Sequence, residues 1–465
     1  MLEKFGRTLT RLFLRFMPDA FVFAILLTLL CAAGALICMG STPLEVITSW
    51  YNGFFNLLAF AMQIALIIVT GFSIALSPQV GRLIDAIARR ISTPSQVYFL
   101  VVAIGMFLSM VSFGWIVITA VFARELAERV KGVHYGFLIA CVYFSMNSWV
   151  LGLSSTIPLL LNTENNYLIQ AGTLDAVIPT SVTLGAGLNI AMMVLMIVAA
   201  PVLFFLLRPK QANGMELSDL QTGSSVAREE TIEEEARQMR LPYRALSDLL
   251  NNSRLLTMIM VGMGVAYIIH HLLTRGVDLD LNIMIFLFLV VGMTLHKTPM
   301  QYVISMKRSS RNIADVLYQY PFYAGIMGIM LGTGLGSAIG SWMASLSTAN
   351  TYPVFAYITG AVVNFAIPSA GGEFAVVGPS VIQAVQEVGA GMPAETVTAM
   401  IARASLSVAY GESLSNMLQP FFLLMVLPVM GAGTRIQARD VMGFLVIPTL
   451  LFIVVQLLMV VYWPI

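Results

Sequence analysis

Apolar runs of bilayer-crossing length recur along this chain, and nothing else constrains its fold as tightly. A helix needs roughly 20 mostly apolar residues to span the hydrocarbon core. Full crossings are read near 18–40, 54–76, 133–161, 182–207, 255–274, 281–296, 312–340, 397–429 and 441–463. Only 11% of the 465 residues are charged and 58% are apolar. A soluble surface of this size carries more charge, typically about 25%, and a disordered chain carries far less apolar content. With no water at membrane depth, the backbone must satisfy itself within helices. The expectation is therefore an all-α polytopic membrane protein with about nine transmembrane helices.

The net charge of +1 gives no reason to expect a nucleic-acid partner. The placement of charge is more informative, because Lys and Arg accumulate on the cytoplasmic side. Lys4, Arg7, Arg11 and Arg15 alternate with apolar residues over 3–16, the pattern of a basic amphipathic helix on the inner membrane surface. They put the N-terminus inside. The loop 41–53 has no Lys or Arg and belongs outside, and Arg82, Arg89 and Arg90 mark the return. The apolar stretch 97–123 has basic residues on both flanks, so it enters and leaves on one side as a re-entrant hairpin. The stretch 352–386 lies in a region, 341–402, with no Lys or Arg at all. It reads as a second hairpin, opening outward. Only Arg275 and Arg403 depart from the scheme, which ends with the C-terminus outside.

The chain then divides as follows. Residues 1–53 hold the amphipathic helix and first span. Repeat 1 occupies 54–207 with its inward-opening hairpin at 97–123. A cytoplasmic linker, 208–254, mixes Glu230, Glu233, Glu234 and Glu235 with Arg237, Arg240 and Arg254. Connecting spans fill 255–297. Repeat 2 occupies 312–465 with its outward-opening hairpin at 352–386. The order crossing, hairpin, crossing, crossing occurs twice in opposite orientation. Such inverted-topology repeats are typical of secondary transporters.

Irregular backbone at membrane depth is tolerated where it lines a cavity or is buried in protein, so the interruptions of the apolar runs are the candidate site. There are four. The first hairpin tip, Ser109–Trp115, offers Ser112 and Gly114. The first broken crossing offers Ser154, Ser155 and Thr156 between Gly152 and Pro158. The second tip, Asn364–Glu373, offers Pro368, Ser369, Gly371 and Gly372. The second broken crossing holds Glu412, Ser413, Asn416 and Gln419-Pro420. Helix N-termini and hydroxyls suit a small carboxylate without any Lys or Arg. Ionisable groups at this depth are costly and suggest function, so Glu373 and Glu412, with Asn364 and Asn416, are assigned to cation coupling. Arg403 either holds the substrate carboxylate, pairs with a Glu or snorkels outward. Cys31, Cys38 and Cys141 read as buried thiols, and no His or Cys spacing suggests a metal site. No nucleophile–base pair is recognisable, so an intramembrane enzyme is not expected, nor is any cofactor beyond the coupling ion.

Seven segments stand out together: Met17-Pro-Asp19, the run Asn56–Gly71, Leu295-His-Lys-Thr-Pro299, Pro321–Ile326, Asn364–Gly372, Ala409-Tyr-Gly-Glu412 and Gln419-Pro-Phe421. On these the chain resembles the bacterial short-chain fatty acid transporter family over essentially the whole length. The family is similar to the wider ion-transporter superfamily of carboxylate carriers. The resemblance implies uptake of acetoacetate- or butyrate-like monocarboxylates driven by H⁺ or Na⁺ across the bacterial cytoplasmic (inner) membrane. It also implies a homodimeric elevator in which a domain bearing both tips moves against a scaffold. The alternative is a transporter of the same fold for a dicarboxylate, an amino acid or a peptide fragment. The scarcity of Lys and Arg at the breaks argues against dicarboxylates.

Overall fold

A computed structural model describes residues 20–212, 214–222, 230–241, 243, 245–310, 313–365 and 367–464. The expected basic helix over 3–16 lies outside the described residues. Among the described residues there is no strand beyond an isolated bridge between Gln221 and Thr434, and the chain is all-helical as expected.

The principal helices are, in order, α1 (Ala20–Cys38), α2 (Pro43–Gly53), α3 (Leu58–Ala75), α4 (Pro78–Ala88), α5 (Pro94–Val111), α6 (Ile116–Arg129), α7 (Tyr135–Ser145), α8 (Thr156–Asn162) and α9 (Gly187–Leu207). They continue with α10 (Ile232–Gln238), α11 (Arg254–Arg275), α12 (Leu281–His296), α13 (Pro299–Ser309), α14 (Ala314–Gly332) and α15 (Leu335–Leu346). The last five are α16 (Tyr352–Val363), α17 (Ala370–Val388), α18 (Ala394–Ser415), α19 (Leu423–Met430) and α20 (Val446–Tyr462).

Four of these helices start at a hydroxyl followed by proline: Thr42-Pro43, Ser77-Pro78, Thr93-Pro94 and Thr298-Pro299. Proline at the first helical position lacks only an N–H that would be unpaired anyway. Thr42, Thr93 and Thr298 each accept a bond from the amide three residues on. This start signal corrects one expectation: 41–53, read as a loop, is mostly helix α2.

Other boundaries also shift. The crossing expected over 312–340 ends at Gly332, and α15 leaves at 73° to α14. Gly334 between them has φ +75°, a left-handed conformation that glycine adopts cheaply. The expected crossings 133–161 and 397–429 are each broken at their polar segments, Met146–Ser155 and Asn416–Phe422. Both expected hairpins are helix pairs packed against each other, α5 with α6 and α16 with α17. Among the described residues, five helical stretches are long and apolar enough to cross a membrane, or up to seven if each of two bent pairs is one span. The fold is that of a multi-pass membrane protein.

The linker is more than a solvated connector. Its first part docks beside the end of α19, where Thr222 N–H donates to the Gly433 carbonyl and Arg435 N–H to Leu220. Its helix α10 buries Ile232 and Ala236 against Ile304 of α13, and Arg308 pairs with Glu235. Of the cysteines only Cys141 is buried, since Cys38 ends α1 on the periphery.

Candidate functional site

The two hairpin tips meet the two broken helices around one cavity of about 310 Å³. Its polar lining is Ser112, Ser154, Thr156, Gln319, Tyr320, Tyr323 and Ser369; its apolar lining includes Ile64, Ile67, Phe113, Trp149, Phe422 and Met425. Both tips, both breaks and the helices α3 and α14 therefore contribute. Among the described residues no Lys, Arg, Asp or Glu lines it.

Each tip is bonded to the break that follows it in sequence. In the first half, Leu153 N–H donates to the Met110 carbonyl at 2.7 Å and Phe113 N–H to Ser154 Oγ at 2.8 Å. A Cβ on Gly152 would sit 1.8 Å from the Met110 oxygen, so only glycine permits this approach. In the second half, Asn364 Nδ2 donates to Ser415 Oγ at 2.7 Å, and Gln419 Nε2 donates to the Asn364 carbonyl at 3.2 Å. Gly411 allows α18 to reach the α16 backbone, where a Cβ would meet the Tyr357 oxygen at 2.1 Å.

The tip of the second hairpin presents the N-terminus of α17 to the cavity through Pro368, Ser369, Ala370 and Gly371. The first amides of a helix have no partner within it and favour an anion. Ser112 Oγ is buried, has no hydrogen-bond partner among the described residues and lines the same cavity. Tyr320 Oη lies 3.3 Å from Ser369 Oγ and beside Gly371.

The expected cation residues lie behind this cavity. Glu373 and Glu412 are both 0% exposed. Asn416 Nδ2 donates to Glu412 Oε1 at 3.1 Å, and Gln419 Nε2 to Asn416 Oδ1 at 2.9 Å. Among the described residues, Glu412 Oε2, Asn364 Oδ1 and both Glu373 oxygens have no partner. Among the described residues no three His, Cys, Asp or Glu are placed to hold a metal ion.

A model of the family described as short chain fatty acid transporter matches residues 1–463. The chain belongs to the short-chain fatty acid transporter family. A protein of Escherichia coli (strain K12) named "Putative short-chain fatty acid transporter" is 37% identical over 446 residues, covering 96% of each chain. A protein of the same name from Haemophilus influenzae is 32% identical over 452 residues, again 96% of each. The crystal structure of the Alcanivorax borkumensis YdaH transporter is similar in fold, with a TM-score of 0.58 at 13% identity over 96% of this chain and 98% of that one. The family relatives are named as transporters and not as enzymes.

Of the candidate residues, Ser112, Ser154, Thr156, Pro368, Ser369 and Gly371 line this one cavity. Four other candidates do not line the cavity. Gly114 packs on Phe72 of α3, and Gly372 on the Tyr323 ring. Ser155 donates to the Val150 carbonyl within its own break. Ser413 donates to the Tyr410 carbonyl. Arg403 donates to the Trp463 carbonyl, away from the cavity. Sequence reasoning passed over Gln319, Tyr320 and Tyr323. The available signal was a Gln beside Pro321 in the middle of an apolar run.

Proposed function

We propose that the protein imports short-chain monocarboxylates of the acetoacetate or butyrate type across the bacterial cytoplasmic membrane, coupled to H⁺ or Na⁺. The observation that carries this reading is one cavity to which both hairpin tips and both helix breaks contribute, with no charged side chain among its described lining residues. A carboxylate suits the α17 amides with the hydroxyls of Ser112, Ser154, Thr156 and Ser369, and a short alkyl chain suits Ile64, Ile67, Phe113 and Phe422. Asn364, Glu373, Glu412 and Asn416 form the coupling cluster.

The proposed architecture is an inverted-topology repeat of about nine crossings and two re-entrant hairpins. The succession α3, α4, α5–α6, α7–α8, α9 parallels α14, α15, α16–α17, α18–α19, α20. The N-terminus is cytoplasmic, the C-terminus lies outside, and the working unit is a homodimeric elevator. Uptake of labelled butyrate and acetoacetate into proteoliposomes, under separate proton and sodium gradients, tests the function. Saturable, concentrative uptake is expected, competed by monocarboxylates. Competition instead by dicarboxylates, amino acids or peptides would replace the substrate class, and non-saturating flux would indicate a channel.

A further inference from the structure

We infer that the coupling ion is a proton, carried by Glu373 and taken up with the substrate because the substrate's carboxylate and Glu373 compete for one helix end. The inference rests on reading the cavity as a monocarboxylate site. Ser369, Ala370 and Gly371 line the cavity at the N-terminus of α17, and Glu373 lies in that same first turn. Glu373 is fully buried, and neither oxygen is hydrogen-bonded to any of the described residues. It lies within Coulomb reach of Glu412, which has its own unpartnered oxygen.

Among the described residues no cation offsets this pair. From the helices packed on α17, the ionisable side chains near it are Glu412 and Tyr410 on α18, Tyr320 and Tyr323 on α14, and Tyr357 on α16. Tyr323 donates to Gln319, Tyr357 to Gln456 and Tyr410 to Asn189, and Tyr320 is placed against Ser369. The basic residue of α18, Arg403, is nine residues before Glu412, about 13 Å along a helix at ~1.5 Å per residue. It donates to the Trp463 carbonyl.

A buried carboxylate without donors or a counter-ion is held neutral by its surroundings. The positive end of α17 is the single feature that favours the anion. When the cavity is empty, that end offsets part of the cost of the charge, so Glu373 can lose its proton as the pH rises. When a substrate carboxylate sits on the same amides, two anions one turn apart cannot share it, and Glu373 takes a proton. Loaded protein thus carries one anion and one proton, and both leave together. The cycle is electroneutral.

The test uses the full-length protein in lipid. Infrared difference spectra on raising the pH are expected to lose a protonated-carboxyl band. Glu373→Gln removes that band, Glu412→Gln retains it, and butyrate shifts its loss to higher pH. In proteoliposomes, butyrate accumulates about tenfold per unit of inside-alkaline pH gradient, and an imposed membrane potential adds nothing. Absence of the band from the unaltered protein, or its persistence in Glu373→Gln, overturns the assignment whether or not butyrate is carried. Accumulation driven by sodium alone also overturns it. If the band titrates but butyrate neither shifts it nor accumulates, the proton assignment stands and the substrate reading fails.

Discussion

At the first hairpin tip the hydrogen bonds to the following helix run through backbone and hydroxyls: the Met110 carbonyl, the Phe113 amide and Ser154 Oγ. At the second they run through side-chain amides, Asn364 and Gln419, with two buried carboxylates alongside. The first tip carries no ionisable group within Ser109–Trp115; the second has Glu373 one turn on. Two units that pack the same way thus differ in what they can respond to. The first can contribute only fixed dipoles to the cavity, whereas the second contains groups whose charge can change.

The largest expected effects come from forcing tip and break apart. Gly152→Ala places a methyl on the Met110 carbonyl, and Gly411→Ala one on the Tyr357 carbonyl. Overpacking of this kind costs about 1–3 kcal/mol and more against backbone. Thermal unfolding in detergent should show both variants destabilised, Gly152→Ala the more. Equal stability to the parent in either one would mean that the tips are loosely held.

Next are two variants that separate the units by role. Ser154→Ala leaves the Phe113 amide without its partner, a loss of about 1–3 kcal/mol, and removes a hydroxyl from the cavity. Its signature in uptake kinetics is a raised KM with cation dependence retained. Gln419→Leu removes the bonds to the Asn364 carbonyl and to Asn416, which orders Glu412. It should change the cation dependence with a smaller change in KM. Identical kinetic signatures from the two would erase the division between the tips.

A smaller effect is expected of Tyr320→Phe. It removes one neutral hydroxyl facing Ser369, about 0.5–1.5 kcal/mol, so the KM should rise by less than about tenfold with little change in stability. Arg403→Gln should leave the KM unchanged, since its guanidinium holds Trp463 rather than lining the cavity. A large rise would restore it as a substrate ligand.

The positions of the breaks were legible because polar, Gly and Pro residues stand out against apolar runs, as at Gly152–Pro158 and Asn364–Glu373. Which face of a break meets the cavity was not. Ser154 and Ser155 are neighbours in sequence, yet one lines the cavity and the other bonds within its own turn. A stretch without regular helical periodicity gives no rule for that choice. The side of the cavity formed by α3 and α14, with Ile64, Ile67, Gln319 and Tyr320, was hidden for a different reason. These residues lie on helices without a polar break, and their role depends on which helix faces the tips. Thr42-Pro43 and Glu45 form a complete start signal for helix α2, whereas the lack of Lys and Arg in 41–53 bears only on its side of the membrane.

That no Lys or Arg among the described residues lines the cavity has a consequence for ionic strength. Attraction between unlike full charges weakens as salt shortens the Debye length from ~30 Å at 0.01 M to ~8 Å at 0.15 M. Hydroxyls and helix-end amides act through short-range dipoles inside a cavity that added salt does not screen. Butyrate affinity should therefore hold nearly constant across that range when pH and osmolarity are matched. If the cavity takes a monocarboxylate as proposed, capture should be equally effective in dilute and in saline surroundings.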